Sequence, residues 1–199
     1  MRVLGQFRDL DRPDRFVWLR GFADMPARHR ALEGFYGGPV WAAHRHAANA
    51  TMTDSDNVHL LRPAWPGATA GLPQHARPQP GAQGVATGVL QLTTFPLREP
   101  ATPQLLDFCR HRMAPTLLRG GARQLAWFCT EHSPNTFARL PVREGEPVLV
   151  GLALFGDEAA LQSFADSGAW ARDVVPGLAP WQAAAPEVLR LQPTARSAL

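Results

Sequence analysis

Apolar and polar positions change period several times along this chain, and each change marks an element. Val3 to Arg8 alternate loosely and predict a strand; the turn cluster Asp9 to Asp14 follows, and Arg15 to Phe22 completes a hairpin. On the second strand Phe16, Trp18, Arg20 and Phe22 share one face and Val17, Leu19 and Gly21 the other, because strand side chains alternate. Two largely apolar faces predict cover on both sides, helices on one and another sheet on the other. Asp24 is placed to cap a helix whose inward positions are Met25, Arg28 by its stem, Leu32, Phe35 and Tyr36. Gly37-Gly38-Pro39 stops that helix and starts a second segment, Val40 to about Ala50. The polar run Thr51 to Asn57 closes it and leads into a strand over Val58 to Arg62.

Residues Pro63 to Gly88 are rich in Pro, Gly, Ala and Gln without periodicity and read as an extended connector. The expected organisation is therefore an N-terminal half over 1–63, a connector over 64–88 and a C-terminal half over 89–195. The second half is complete in pattern. It predicts a strand Val89 to Leu97, a helix Pro103 to Arg119 with Gly120-Gly121 past its end, and a strand Arg123 to Thr130. A strand Pro147 to Phe155, a helix from Asp157 through Phe164 with a further turn near Trp170, and a strand Val188 to Leu191 follow. The order is β-α-β-β-α-β, the ferredoxin-like split motif.

The two halves repeat one another. Phe22-Ala-Asp24 falls on Phe155-Gly-Asp157, Gly38-Pro-Val-Trp41 on Gly168-Ala-Trp170, and Val58 to Pro63 on Val188 to Pro193. The first half lacks a counterpart of the opening strand and helix. The motifs FVWLRGF (Phe16 to Phe22), FYGGPVW (Phe35 to Trp41) and HRHAANATMTDSDNV (His44 to Val58), with the Phe-Gly-Asp to Ala-Trp pattern of the second half, resemble the NIPSNAP family of dimeric α/β-barrel proteins. The resemblance implies an α+β fold of two ferredoxin-like halves in a dimeric α/β-barrel type arrangement, the first half incomplete. It also implies self-association. It says little about activity, because relatives of this fold include cofactor-free monooxygenases, haem-handling enzymes and proteins without established chemistry. The incomplete half carries its own expectation: either Val58 to Arg62 closes up against Arg15 to Phe22, or unpaired backbone remains at the gap. A strand and helix encoded upstream, or supplied by another chain, would fill it.

Composition removes several classes of chemistry. All twenty basic residues are arginine, which excludes a lysine Schiff base and hence a covalent pyridoxal enzyme. Cys109 and Cys129 have no metal or redox spacing and read as reduced, buried thiols of a cytoplasmic protein. No stretch is apolar for the roughly 20 residues a membrane span requires. The formal charge of +3 is interspersed along the chain and no Gly-aromatic strand signature occurs, so a nucleic-acid partner is not expected. Neither a glycine-rich phosphate loop, a nucleophile elbow nor a zinc spacing is present, and no cofactor is expected.

The densest polar cluster is His44, Arg45, His46 and Asn49 on the second helix. His44 and His46, two apart on a helix, point away from each other and do not share a metal ion. His44 falls with Trp41 and Ala48 on the apolar face and is read as facing inward. It is either a general base or donor lining a pocket, or a core histidine satisfied by a neighbour. Arg20, among Phe16, Trp18 and Phe22, requires either an internal carboxylate or a ligand anion. The candidate ligand-binding set is therefore Trp18, Arg20, Trp41, Arg45 and Asn49, with His44 as the catalytic candidate and no metal. The expected partner is a small hydrophobic or anionic molecule in a cleft between sheet and helices. Such a site suits a cofactor-independent oxygenase or isomerase; the alternative is a non-catalytic protein that uses its barrel for assembly. An enclosed cavity favours the first, and a barrel filled by side chains the second.

Overall fold

The computed structural model describes residues 1–72, 77–84 and 87–199. Its elements are β1 (Arg2–Asp9), β2 (Phe16–Gly21), α1 (Met25–Tyr36), α2 (Pro39–Ala50), β3 (Leu61–Pro63) and β4 (Val89–Pro96). They continue with α3 (Pro103–Phe108), a π-helical segment (Cys109–Met113), α4 (Ala114–Arg119), β5 (Gln124–Thr130) and β6 (Val148–Phe155). The last are α5 (Glu158–Asp166), α6 (Ala169–Asp173), α7 (Val175–Leu178) and β7 (Glu187–Pro193). Two compact units form: a smaller one of Met1–Arg2, Arg20–Leu60 and Glu131–Gly145, and a larger one of Val3–Leu19, Leu61–Thr130 and Glu146–Leu199.

In the larger unit the strands form one sheet in the order β2-β1-β7-β4-β6-β5-β3. The run β7-β4-β6-β5 is the predicted second half: β4, its first strand, lies between the third and fourth, pairing β6 from Val89↔Phe155 to Pro96↔Val148 and β7 from Leu90↔Leu191 to Thr94↔Glu187. The first half contributes β1, β2 and β3. β1 pairs with β7 through Phe7↔Pro193 to Asp9↔Leu191, and β3 pairs with β5 through Leu61↔Thr130 to Pro63↔Phe128. In the complete half the third and fourth strands flank the first. Their counterparts here, β2 and β3, are the two ends of the sheet. Of the two outcomes the sequence left open, the strands do not close up against each other. Among the described residues no strand takes the position of the absent one, and the fold is α+β with two ferredoxin-like halves, the first incomplete.

Each sheet face has its own core. One face carries Val89, Phe95, Trp127, Leu149, Ala153 and Phe155 beneath Leu105, Cys109, Met113, Leu117, Leu161 and Phe164 of the helices. The other carries Phe7, Leu90, Ala126, Phe128, Val148, Val150, Leu152 and Leu191 together with the C-terminal Leu199. Val17 and Leu19 of β2 and Leu61 of β3 pack against that second cluster, so both ends of the sheet look onto the same core. The sheet curls around it. On β2 the opposite face is not covered as the sequence predicted: Phe16 is 53% and Trp18 41% exposed. In the complete half the corresponding face lies under α3 and α4, and the first half has no such pair of elements.

The predicted helix Pro103 to Arg119 forms with a π turn at its centre, where the Ala114 N–H donates to the Cys109 carbonyl five residues back. Pro115 explains it: the ring cannot donate and would crowd the carbonyl four residues earlier, and a π turn relieves both problems. The connector also departs from expectation. Residues 64–72 pack rather than extend: Ala64 N–H donates to Trp127 O at 3.0 Å, Trp127 N–H to Ala68 O at 3.0 Å, and Ala64, Ala68 and Leu72 are buried. Gly71 lies so close to β5 that a Cβ there would fall 2.2 Å from the Leu125 carbonyl oxygen. Small residues that read as a linker serve here for close backbone approach. Residues 73–76 and 85–86 of the connector lie outside the described residues.

In the smaller unit Asp24 caps α1 as predicted, its Oδ1 accepting from Ala27 N–H at 2.6 Å. The predicted strand Val58 to Arg62 is shortened to Leu61–Pro63. Its first residues pair instead with an irregular segment, Val58 O accepting from Arg143 N–H and Leu60 O from Glu131 N–H, each at 2.8 Å.

Candidate functional site

A ligand site inside the barrel needs space, and the inner sheet face is filled. All seven strands send side chains to one apolar cluster, which Leu72 and Leu199 close further. Two concavities among the described residues are open to solvent. One, of about 260 Å³, lies along Asp9, Asp11, Arg12, Arg15 and Glu187; the other, of about 330 Å³, along Asp54, Asp56, Asn57 and Arg143. Neither includes His44 or Arg20. The first is a fastening rather than a receptor: Asp9 Oδ1 accepts from Asp11 and Arg12 N–H, Arg15 Nη1 donates to Glu187 Oε1 at 3.1 Å, and Arg190 grips Asp11 with two bonds. These contacts pin the β1–β2 turn to β7.

The sequence-predicted residues are only partly brought together. His44, Arg45, His46 and Asn49 are all exposed, and α2 buries no residue at all. His44 therefore does not face inward as its helical position implied; Trp41 and Ala48, on the same stripe, are half-buried. A helix stripe predicts which residues turn inward together, but only a partner surface buries them, and α2 receives little. Trp41 packs on Phe35 at 5.6 Å and Tyr36 at 4.9 Å, and Tyr36 stacks on Phe137 at 5.7 Å, giving an aromatic cluster within the smaller unit. Trp18 sits beside Phe16 at 6.4 Å.

Arg20 is half-buried and close enough to Arg28 to act on it. Arg28 is the residue that sequence reasoning missed. Its stem was expected to pack, yet the whole side chain is buried at 4% exposure, with Nη1 donating to Asn135 Oδ1 at 3.0 Å and to Thr136 Oγ1 at 3.4 Å. Burial, and secondarily the charge of Arg20, lower its pKa from the usual arginine value. The available signal was an arginine in the inward stripe of a helix with no acid on that stripe. Cys109 is buried too, which raises its thiol pKa well above normal and leaves it without nucleophilic thiolate.

Among the described residues no group of three His, Cys, Asp or Glu side chains is arranged to hold a metal ion, and no helix is long and apolar enough to cross a membrane. No family model matches the chain, and no curated protein matches it. A crystal structure of an anthrone oxidase-like protein does match in three dimensions, with a TM-score of 0.51 and 14% identity over 100% of this chain and 81% of that one. The chain has a dimeric α/β-barrel type fold. At that identity the likeness establishes the fold alone, and the barrel kind is what it supports.

Proposed function

We propose that the chain is a non-catalytic barrel-type protein, akin to NIPSNAP proteins in its motifs, that works by association with other protein surfaces, including its own copies. The packed inner face carries this reading: among the described residues all seven strands send side chains into it, and a barrel core occupied in this way serves stability rather than substrate. The end strand β2, with Phe16 53% and Trp18 41% exposed, supplies a surface suited to association. Analytical ultracentrifugation over a hundredfold range of concentration, paired with amide exchange, tests it. Expected are a concentration-dependent oligomer and slowing of exchange along β2 as it forms. A monomer throughout, with β2 amides already as slow as those of β4, overturns the reading.

A second reading, cofactor-independent oxygenation or isomerisation of a small molecule, is favoured by the likeness to an anthrone oxidase-like structure. In it His44 polarises a substrate held by Arg20, Trp41, Arg45 and Asn49 of the smaller unit. Oxygen consumption with an anthrone, lost in His44→Ala, supports it; no consumption above the buffer rate removes it.

A further inference from the structure

Within the smaller unit, α1 buries two side chains, Leu32 and Arg28. Leu32 is ordinary core; Arg28 carries a charge that no acid among the described residues pairs with. Its Nη1 is held by two neutral oxygens, those of Asn135 and Thr136, while Nη2 is buried and has no acceptor among the described residues. None of the ion pairs of the described residues involves Arg28. The carboxylates of its own helix are engaged elsewhere: Asp24 caps Ala27 N–H, and Glu33 Oε1 faces His29 Nε2 at 3.3 Å. The charge acting on Arg28 is Arg20, of the same sign.

A guanidinium cannot escape this situation by losing its proton, because its pKa lies far above physiological pH. A lysine or histidine would. Burying an ionised group without a counter-charge is expensive, and the cost is relieved only by an anion that also takes up the unused donor. We propose that Arg28, oriented by Asn135 and Thr136, is a binding site for one oxyanion group, a carboxylate or a phosphate, of a small molecule. The planar fork suits such a group, since Nη2 offers a charge-assisted bond to a single oxygen while Nη1 stays fixed on the protein. Asn135 is itself locked, its Nδ2 donating to Leu140 O and its Oδ1 also accepting from Phe137 N–H, so the fork is held before any ligand arrives. The segment over the site, Glu131–Gly145, contains no helix or strand. It is tied to α1 by Arg28 Nη1 and by the contact of His29 Nδ1 with Thr136 O.

The test uses the full chain with inorganic phosphate and acetate as probes and chloride at equal ionic strength as control. Expected is a saturable rise in Tm of roughly 5 °C for one probe over chloride, together with movement of the Arg28 side-chain ¹⁵N resonances. Arg28→Met should lose the response, and Arg139→Met should keep it. Response to acetate alone identifies a carboxylate ligand, and response to phosphate alone a phosphate ligand; either supports the site. Absence of a saturable response to both, or an undiminished response in Arg28→Met, overturns it. Should Arg28→Met fail to fold, Arg28→Lys and the wild-type resonances decide: unmoved Arg28 signals at saturating phosphate and acetate reject the proposal.

Discussion

Two strands that hold equivalent places in the two halves, β6 and β2, have nearly the same apolar pattern and opposite fates. On β6, Leu149, Ala153 and Phe155 lie under helices at 0%, 2% and 0% exposure. On β2, Phe16 and Trp18 on the corresponding face are 53% and 41% exposed, and β2 is an end strand of the sheet. An apolar face states what a strand can bury, while the presence of a covering element decides what it does bury. The difference therefore lies not in the strands but in the elements around them, since β6 has β4 beside it and β2 has no equivalent.

The largest expected contrast comes from truncating one aromatic in each place. Phe155, stacked on Phe164 at 5.7 Å and fully buried, should cost about 3–5 kcal/mol when changed to Ala, because a cavity remains. Phe16→Ala should change stability by no more than about 0.5 kcal/mol in the monomer, as exposed positions generally do. Urea unfolding of both variants measures the gap. A Phe16→Ala cost comparable to that of Phe155→Ala would mean that β2 is covered in solution.

A smaller effect probes how firmly the first half is fastened. Asp9 is 3% exposed, and its Oδ1 accepts the N–H groups of Asp11 at 2.9 Å and Arg12 at 3.3 Å, with Arg15 Nη1 3.6 Å from Oδ2. Asp9→Ala leaves two turn donors and a partly shielded arginine unanswered and should destabilise by about 1–3 kcal/mol. The loss should appear in the same unfolding transition that reports Phe155→Ala. A separate early transition for the β1–β2 hairpin would show that it folds apart from the sheet of the complete half.

Legibility from sequence follows the same division. The second half was readable because pattern, caps and turns agree at every step: Asp157 caps α5 through Ala160 N–H, and Gly120-Gly121 end the helix at Arg119. The repeat itself showed which strand and helix were absent. What the pattern did not show was contact. Residues 64–72 have linker composition yet lie against β5, because Ala and Gly permit close approach as readily as flexibility. His44 keeps helical phase with Trp41 but lacks a surface to turn toward, and Arg28 looked like a stem because nothing in one helix reveals the missing counter-charge. The π turn was implicit in Pro115, although the helical periodicity passed over it.

His44 gives the next smaller effect. It is exposed and has no hydrogen-bond or ion-pair partner among the described residues, so His44→Ala should change stability by no more than about 0.5 kcal/mol. Thermal unfolding checks this directly. A loss of several kcal/mol would return His44 to the inward face and make α2 resemble the covered helices of the complete half.

The smallest effect concerns the ion pair that joins the two halves across the sheet. Arg190 of β7 donates to Asp11 in the β1–β2 turn from Nε at 3.1 Å and from Nη2 at 2.5 Å. The side-chain hydrogen bond to Arg190 is the main cause of a lowered Asp11 pKa; burial opposes it, and the charge of Arg190 adds to it. A carboxylate whose folded pKa is depressed contributes stability that is present above its unfolded value, about 3.9, and is lost as pH falls through the lower folded value. From pH 7 to 5 the pair should therefore leave stability unchanged, and the difference between wild type and Asp11→Asn should shrink only in the acid range below about pH 4. Both groups are exposed, so added salt should shrink it as well. Urea midpoints of the two proteins at pH 7 and pH 3, at low and high salt, measure that difference. A difference that persists unchanged at pH 3 would assign the effect of Asp11 to the turn backbone and not to Arg190, leaving β1's pairing with β7 as the principal tie between the halves at that end of the sheet.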